Sequence, residues 1–221
     1  MPSTQSSFLR RVIVTVCLSL VATLLLCGTA LAGEVTYGDN ERRDLNDHNT
    51  TYVIRGDGTT HKSGNYFYVP GNKSSEENPL VIILDNVNRT QEGCSPTNSF
   101  ITIAANNYVI VKLRGTNTIV GGEEEGVGSN DGTAGIHVSQ GATLKVTSEQ
   151  GDGSTEGSIT AKGGGSKYGG AGIGCSEGGT LRGTILISGG NVTATGGHEG
   201  AGIGSGDGAE FAKDDGEKGV S

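Results

Sequence analysis

The pentapeptide Gly170-Ala171-Gly172-Ile173-Gly174 returns thirty positions later as Gly200-Ala201-Gly202-Ile203-Gly204, and a shorter copy, Ala134-Gly135-Ile136, precedes both. Each copy follows a short β-prone run that ends in Gly-Gly. Repetition of this kind predicts a stacked coil, in which each unit buries its apolar face only against its neighbours. It also limits function, because a coil offers long exposed faces rather than one closed pocket.

Three elements recur in order: Ala-Gly-Ile, a strand of type x-Leu/Ile-x-Val/Ile-x, and a strand ending in Gly-Gly. The Gly-Gly pairs end at 122, 164 and 197, spacings of 42 and 33 residues. Core positions keep their phase while the loops vary and project outwards. Alternation along a strand points Leu144 and Val146 inward with Lys145 and Thr147 outward, and Ile159 and Ala161 inward with Thr160 and Lys162 outward. One coil later Ile185, Ile187, Val192 and Ala194 take the same inward rows, so Lys145 aligns with Leu186 and Lys162 with Thr195. Ile136, Ile173 and Ile203 then form one column at about 4.8 Å per rung. Each inner isoleucine or leucine contributes roughly 1.5–3 kcal/mol. The Gly-Gly corners supply positive φ or close backbone approach. Antiparallel hairpins in a sandwich would also fit the alternation and the turns, but they do not explain why the motifs return in fixed order.

The ends of the chain read differently. Arg10 and Arg11, the apolar run Val12 to Leu26, and Ala30-Leu31-Ala32 have the form of a cleaved secretory signal over 1–32. The apolar run is shorter than the roughly 20 residues that span a bilayer comfortably. Residues 33–50 read as a flexible leader, 51–79 as N-terminal cap strands, 80–208 as the coils, and 209–221 as a polar tail or a truncated next coil. Without the signal segment, 14 basic side chains face 24 acidic ones, a net charge of −10. That balance disfavours nucleic acid and anionic membranes and suits an exported protein or divalent cations. Forty glycines without a Gly-X-Y period exclude collagen and point to turns. Cys94 and Cys175 remain after the signal, and an oxidising compartment would permit their pairing.

Asn117-Thr118-Ile119, Ala134-Gly135-Ile136-His137-Val138 and Ala142-Thr143-Leu144, followed by Gly-Gly and Gly-Ala-Gly-Ile-Gly, resemble exported bacterial β-helix proteins carrying a carbohydrate-binding domain. The pattern is also similar to adhesin-like surface proteins. The match covers about 80–208. The resemblance implies an all-β, right-handed parallel β-helix of pectate-lyase-like fold. It further implies calcium in some members and contact with polysaccharide or cell-wall glycan. The family's ligand residues do not map, because the shared motif is structural. The chain stops where an equivalent of Thr184 to Ser188 is due, so the helix is expected to be incomplete at its C-terminal end.

A lyase on such a scaffold needs an Arg or Lys base beside carboxylates that hold a cation against a uronate. Lys112, Arg114, Lys145 and Lys162 are outward cations, yet their coil equivalents do not stack as cations. Carboxylates gather in three loops: Glu123-Glu124-Glu125 with Asp131; Glu149, Asp152 and Glu156; and Asp207 through Asp215. None has EF-hand or calcium β-roll spacing. His48, His61, His137 and His198 show no paired ligand spacing, and no nucleophile elbow is present. Arg55-Gly56-Asp57 matches an integrin-type tripeptide, which chance and turn formation explain in a chain rich in glycine and aspartate. Candidate sugar contacts are Tyr168, Lys145 and Lys162, beside outward threonines at 143, 147, 160, 193 and 195.

The expectation is a non-catalytic, secreted or cell-surface polysaccharide-binding module with no catalytic residues. The alternatives are a lyase or hydrolase of the same fold and a structural spacer. An enzyme predicts a stacked base and carboxylate cluster on one outer face, a binder an aromatic or amide-rich strip, and a spacer neither.

Overall fold

The computed structural model describes residues 33–36, 42–48, 50–56, 66–89, 99–122, 132–179 and 182–208. Among these, every regular element is a strand and every strand pair is parallel. Sheet A contains β1 (Gly33–Thr36), β3 (Thr51–Arg55), β5 (Leu80–Asp85), β8 (Tyr108–Arg114), β11 (Thr143–Ser148) and β14 (Thr184–Ile187). Sheet B contains β2 (Arg42–Asp44), β4 (Tyr66–Val69), β7 (Ile101–Ile103), β10 (Ile136–Val138), β13 (Ile173–Gly174) and β16 (Ile203–Gly204). Sheet C contains β6 (Asn88–Arg89), β9 (Thr116–Val120), β12 (Ser158–Lys162) and β15 (Asn191–Thr195). From β5 onward the chain visits A, C and B in turn. The fold is all-β, with three parallel sheets in a repeating pattern consistent with a right-handed parallel β-helix.

The expected isoleucine column is present. Ile136 pairs with Ile173 and Ile173 with Ile203, and the column continues to Ile101 and Phe67. On sheet A, Val109, Leu144 and Ile185 stack, as do Val111, Val146 and Ile187. On sheet C, Ile119, Ala161 and Ala194 stack. Middle-rung members are fully buried, whereas Ile187 and Ile203 in the last described coil are 46% and 44% exposed. A rung is covered only by its neighbours, so the last described rung keeps one open side.

The corners explain the glycines. Where sheet A turns into sheet C, Asn86, Gly115, Gly157 and Gly190 stand one above another with φ of 53°, 63°, 75° and 76°. This left-handed conformation favours Gly and tolerates Asn. The Gly-Gly corners use the other expected device. A Cβ on Gly164 would sit 1.9 Å from the Gly122 carbonyl oxygen, and one on Gly197 would sit 1.9 Å from that of Gly164. Backbone passes so close to backbone there that no side chain fits.

Buried asparagines staple neighbouring coils. Asn117 Oδ1 accepts from the Val87 N–H at 2.9 Å, while its amide donates to Arg114 O and Ser158 O at 3.1 and 3.0 Å. Asn107 accepts from the N–H groups of Lys73 and Ser74 and donates to Pro70 O and Ala104 O. Each buried amide is thereby satisfied across the coil boundary, as a buried polar group must be.

Two placements differ from the sequence reading. β1 and β2 fall inside 33–50, the stretch read as a flexible leader, and pair in parallel with β3 and β4. Each is too short to carry a readable period. Thr147, expected to be exposed on an outer face, is only 3% exposed because Asp152 folds back over it and accepts its hydroxyl at 2.8 Å. The segments 1–32 and 209–221, and residues Asp57, His61, Cys94, Glu123, Glu124, Glu125 and Asp131, lie outside the described residues. Cys175 is a buried free thiol. Among the described residues no helix is long and apolar enough to cross a membrane.

Candidate functional site

One edge of the outer face of sheet A carries a ladder of alternating charge. Arg55, Asp85 and Arg114 are in register on successive rungs, and Glu149 follows just beyond β11. Asp85 Oδ2 lies 3.1 Å from both Arg55 Nε and Arg114 Nη1. Arg114 Nε donates to Glu149 Oε2 at 2.6 Å, and Arg114 Nη2 bonds to Glu149 Oε1. Burial alone would raise the Asp85 carboxyl, but the two guanidinium hydrogen bonds outweigh it and hold the group below its ordinary range. The hydrogen bond from Arg114 likewise lowers Glu149, and Glu149 with Asp85 raises Arg114.

Lys145, in the middle of the same face, is also engaged. Its Nζ donates to Asp152 Oδ2 at 2.6 Å, and Asp152 Oδ1 accepts from the hydroxyls of Thr147 and Ser188, both at 2.8 Å. These bonds bring Asp152 from an ordinary 3.8 to about 2, Lys145 being the largest influence. Asp152 raises Lys145 in turn. A general base works best with its proton affinity lowered toward operating pH. The contacts on Arg114 and Lys145 act in the opposite sense.

The outer face of sheet C has a different chemistry. Asn88, Thr118, Thr160 and Thr193 form one outward column, and Thr116, Ser158 and Asn191 form a second. The third is Val120, Lys162 and Thr195. Thr116, Thr160, Lys162, Asn191, Thr193 and Thr195 are exposed. The result is a grid of hydroxyls and amides with Lys162 its one charged member among these positions. Rungs repeat at about 4.8 Å and alternate residues at about 6.6 Å along each strand.

At the corner from sheet C to sheet B two turns stack. The lower holds Tyr168, 37% exposed, with Lys167 Nζ 4.9 Å from its ring centroid. The upper holds His198 and Glu199. The His198 N–H donates to Gly165 O at 3.1 Å, and the N–H of Asp207, beyond β16, donates to Gly169 O at 2.7 Å. One ligand atom each from His198, Glu199 and Asp207 lie within 4.8 Å of one another, and His198 Nδ1 is 3.9 Å from Asp207 Oδ2. On sheet B, His137 Nδ1 meets Ser176 Oγ at 3.3 Å, and burial pushes the imidazole down.

A separate open recess of about 380 Å³ lies where sheet B turns into sheet A, lined by His48, Asn72, Lys73, Ser74, Ser75, Asn78 and Asn106.

The three sugar-contact candidates do not share a face. Lys145 is on sheet A, Lys162 on sheet C, and Tyr168 in the turn leading to sheet B. Glu149 and Asp152, read as one loop cluster, are bound to different cations. The sequence reading missed the charge ladder, because its partners are 29 to 35 residues apart. It also missed the convergence of His198 with Asp207 across β16. A repeat-wise alignment of the outward positions would have exposed the first. The second depends on a turn geometry that no spacing rule encodes.

Compared with known proteins, the chain matches no family model, no curated protein and no solved structure. The resemblance to β-helix carbohydrate-binding proteins is therefore carried by the β-solenoid architecture alone.

Proposed function

We propose that the protein is an exported, non-catalytic module that binds a neutral polysaccharide through the outer face of sheet C. The observation that carries this reading is the register of Asn88, Thr118, Thr160 and Thr193 beside Thr116, Ser158 and Asn191. Every hydroxyl there both donates and accepts, as sugar hydroxyls do. One such hydrogen bond contributes only about 0.5–1.5 kcal/mol net. Useful affinity then needs many equivalent contacts at once, which a repeating polymer supplies and a monosaccharide does not. A net charge of −10 after signal removal disfavours polyanionic glycans. Lys162 borders this grid and belongs to the reading; Lys145, held by Asp152, does not. The raised proton affinity of Arg114 and Lys145 supports binding over lyase chemistry.

The test is retention on insoluble neutral and acidic polysaccharides, with and without chelator, alongside an assay for unsaturated uronate ends. Retention on a neutral glycan without new ends is expected, and Thr118→Val/Thr160→Val/Thr193→Val should lose it. Retention indifferent to those substitutions, or the appearance of ultraviolet-absorbing ends, would overturn the reading. Failure to bind any glycan would favour a structural spacer.

A further inference from the structure

We propose that His198, Glu199 and Asp207 form a binding site for a zinc-class divalent cation. The site would staple the turn after β15 to the segment leaving β16. It is independent of glycan binding on sheet C.

The geometry supplies the ligand atoms and a rigid frame for them. One ring nitrogen of His198 and the two carboxylates come from opposite sides of β16 and converge within 4.8 Å. Two ligands on a tetrahedral zinc lie roughly 3.4 Å apart, given metal–ligand distances of about 2.0–2.2 Å. The 3.9 Å between His198 Nδ1 and Asp207 Oδ2 needs only a small side-chain rotation to reach that. Both backbones are fixed by hydrogen bonds to the coil beneath, His198 to Gly165 and Asp207 to Gly169, while the Gly178 N–H donates to Asp207 O at 2.7 Å. The Asp207 side chain is only 14% exposed and aimed at the imidazole; His198 is 48% exposed and so open to an incoming ion. No residue of the matching turn one coil earlier, Ser166-Lys167-Tyr168, is an imidazole or carboxylate. Glu177 stands one coil earlier at the position of Asp207, so a carboxylate recurs there, and it is the His198-Glu199 pair that is particular to this rung.

The donor types choose the ion. One imidazole nitrogen with two carboxylates suits zinc or a neighbouring first-row divalent metal. Calcium and magnesium prefer sites made wholly of oxygen. Three protein ligands leave a fourth tetrahedral position for water. The site also lies where the apolar columns are least covered, since Ile187 and Ile203 are about half exposed. Binding there would stabilise the last described coil by mass action.

Calorimetric titration of the mature chain with zinc chloride should show one site, and zinc should raise the thermal midpoint. His198→Ala and Asp207→Asn should each weaken zinc binding at least tenfold and abolish the midpoint shift. His48→Ala should change neither, and calcium should give no His198-dependent heat. As a measurement independent of variant folding, imidazole nitrogen spectra of the unmodified protein should show zinc displacing the signals of a single histidine. Absence of zinc binding, binding that survives His198→Ala, or displacement of a histidine other than His198 would overturn the proposal.

Discussion

Sheets A and C are wound on the same rungs, yet their outer faces have opposite characters. On sheet A, Arg55, Asp85, Arg114 and Glu149 neutralise one another, and Lys145 is held by Asp152. On sheet C the outward residues are mainly hydroxyls and amides, and Thr116, Thr160, Thr193 and Thr195 among them are exposed to solvent. The inner rows explain how this is possible. Leu144 with Val146 and Ile159 with Ala161 are interchangeable apolar fillings that only need to stack. Outward positions are free of that requirement, so one face can spend its polar groups on itself and the other can keep them available.

The comparison is broken most severely by attacking what both faces share. Gly164→Ala places a Cβ 1.9 Å from the Gly122 carbonyl oxygen. Neither backbone can yield, so stability should fall by upwards of about 3 kcal/mol, and chemical denaturation should show both faces lost together. Next comes Asp85→Ala, which strips two arginines of a carboxylate whose side chain is 9% exposed. It should cost about 1–2 kcal/mol in urea denaturation and leave glycan retention unchanged. The valine triple on sheet C should do the reverse. Retention should drop at least tenfold, about 1.4 kcal/mol, with stability within about 0.5 kcal/mol of the parent.

Acid sharpens the contrast further. Asp152, Glu149 and Asp85 titrate below their ordinary values when folded, so the unfolded chain binds more protons. Their contribution is complete only above the ordinary values, 3.8 for the aspartates and 4.5 for Glu149, that is from about pH 5 upward, and is lost as pH falls through the folded values, toward about 2 for Asp152. Urea midpoints measured from pH 5 to 2.5 should fall, and Asp152→Asn should flatten the fall. The smallest effect belongs to His137 on sheet B. Burial lowers it from 6.5, so its contribution is present above that pH and diminishes below it. His137→Gln should remove that slope from midpoints taken between pH 7.5 and 5.5.

The interior was legible in the sequence because a repeated apolar row has one geometric meaning. Ile136, Ile173 and Ile203 pair as the alternation requires, and Lys145 meets Leu186 while Lys162 meets Thr195. Arg89 was not legible. It occupies the inward row of Ile119 and is fully buried, its guanidinium 5.2 Å from the Phe100 ring centroid. Pattern reading places an arginine outside, because burying its charge is costly. The surface was half legible: the threonines of sheet C follow from alternation, but which cation meets which carboxylate depends on loop lengths that differ from coil to coil. The His198, Glu199 and Asp207 cluster depends on two turns stacking, which composition does not report.

The side chain of Asn107 has a practical consequence for handling the protein. By composition, the stretch from Gly71 to Pro79, rich in Ser, Asn and Glu, is a place where a protease would be expected to nick. Its Lys73 and Ser74 amides are instead held on a buried carboxamide, so the peptide cannot easily extend into an enzyme's cleft. Limited digestion should spare this segment, and Asn107→Ala should open it to cleavage at Lys73.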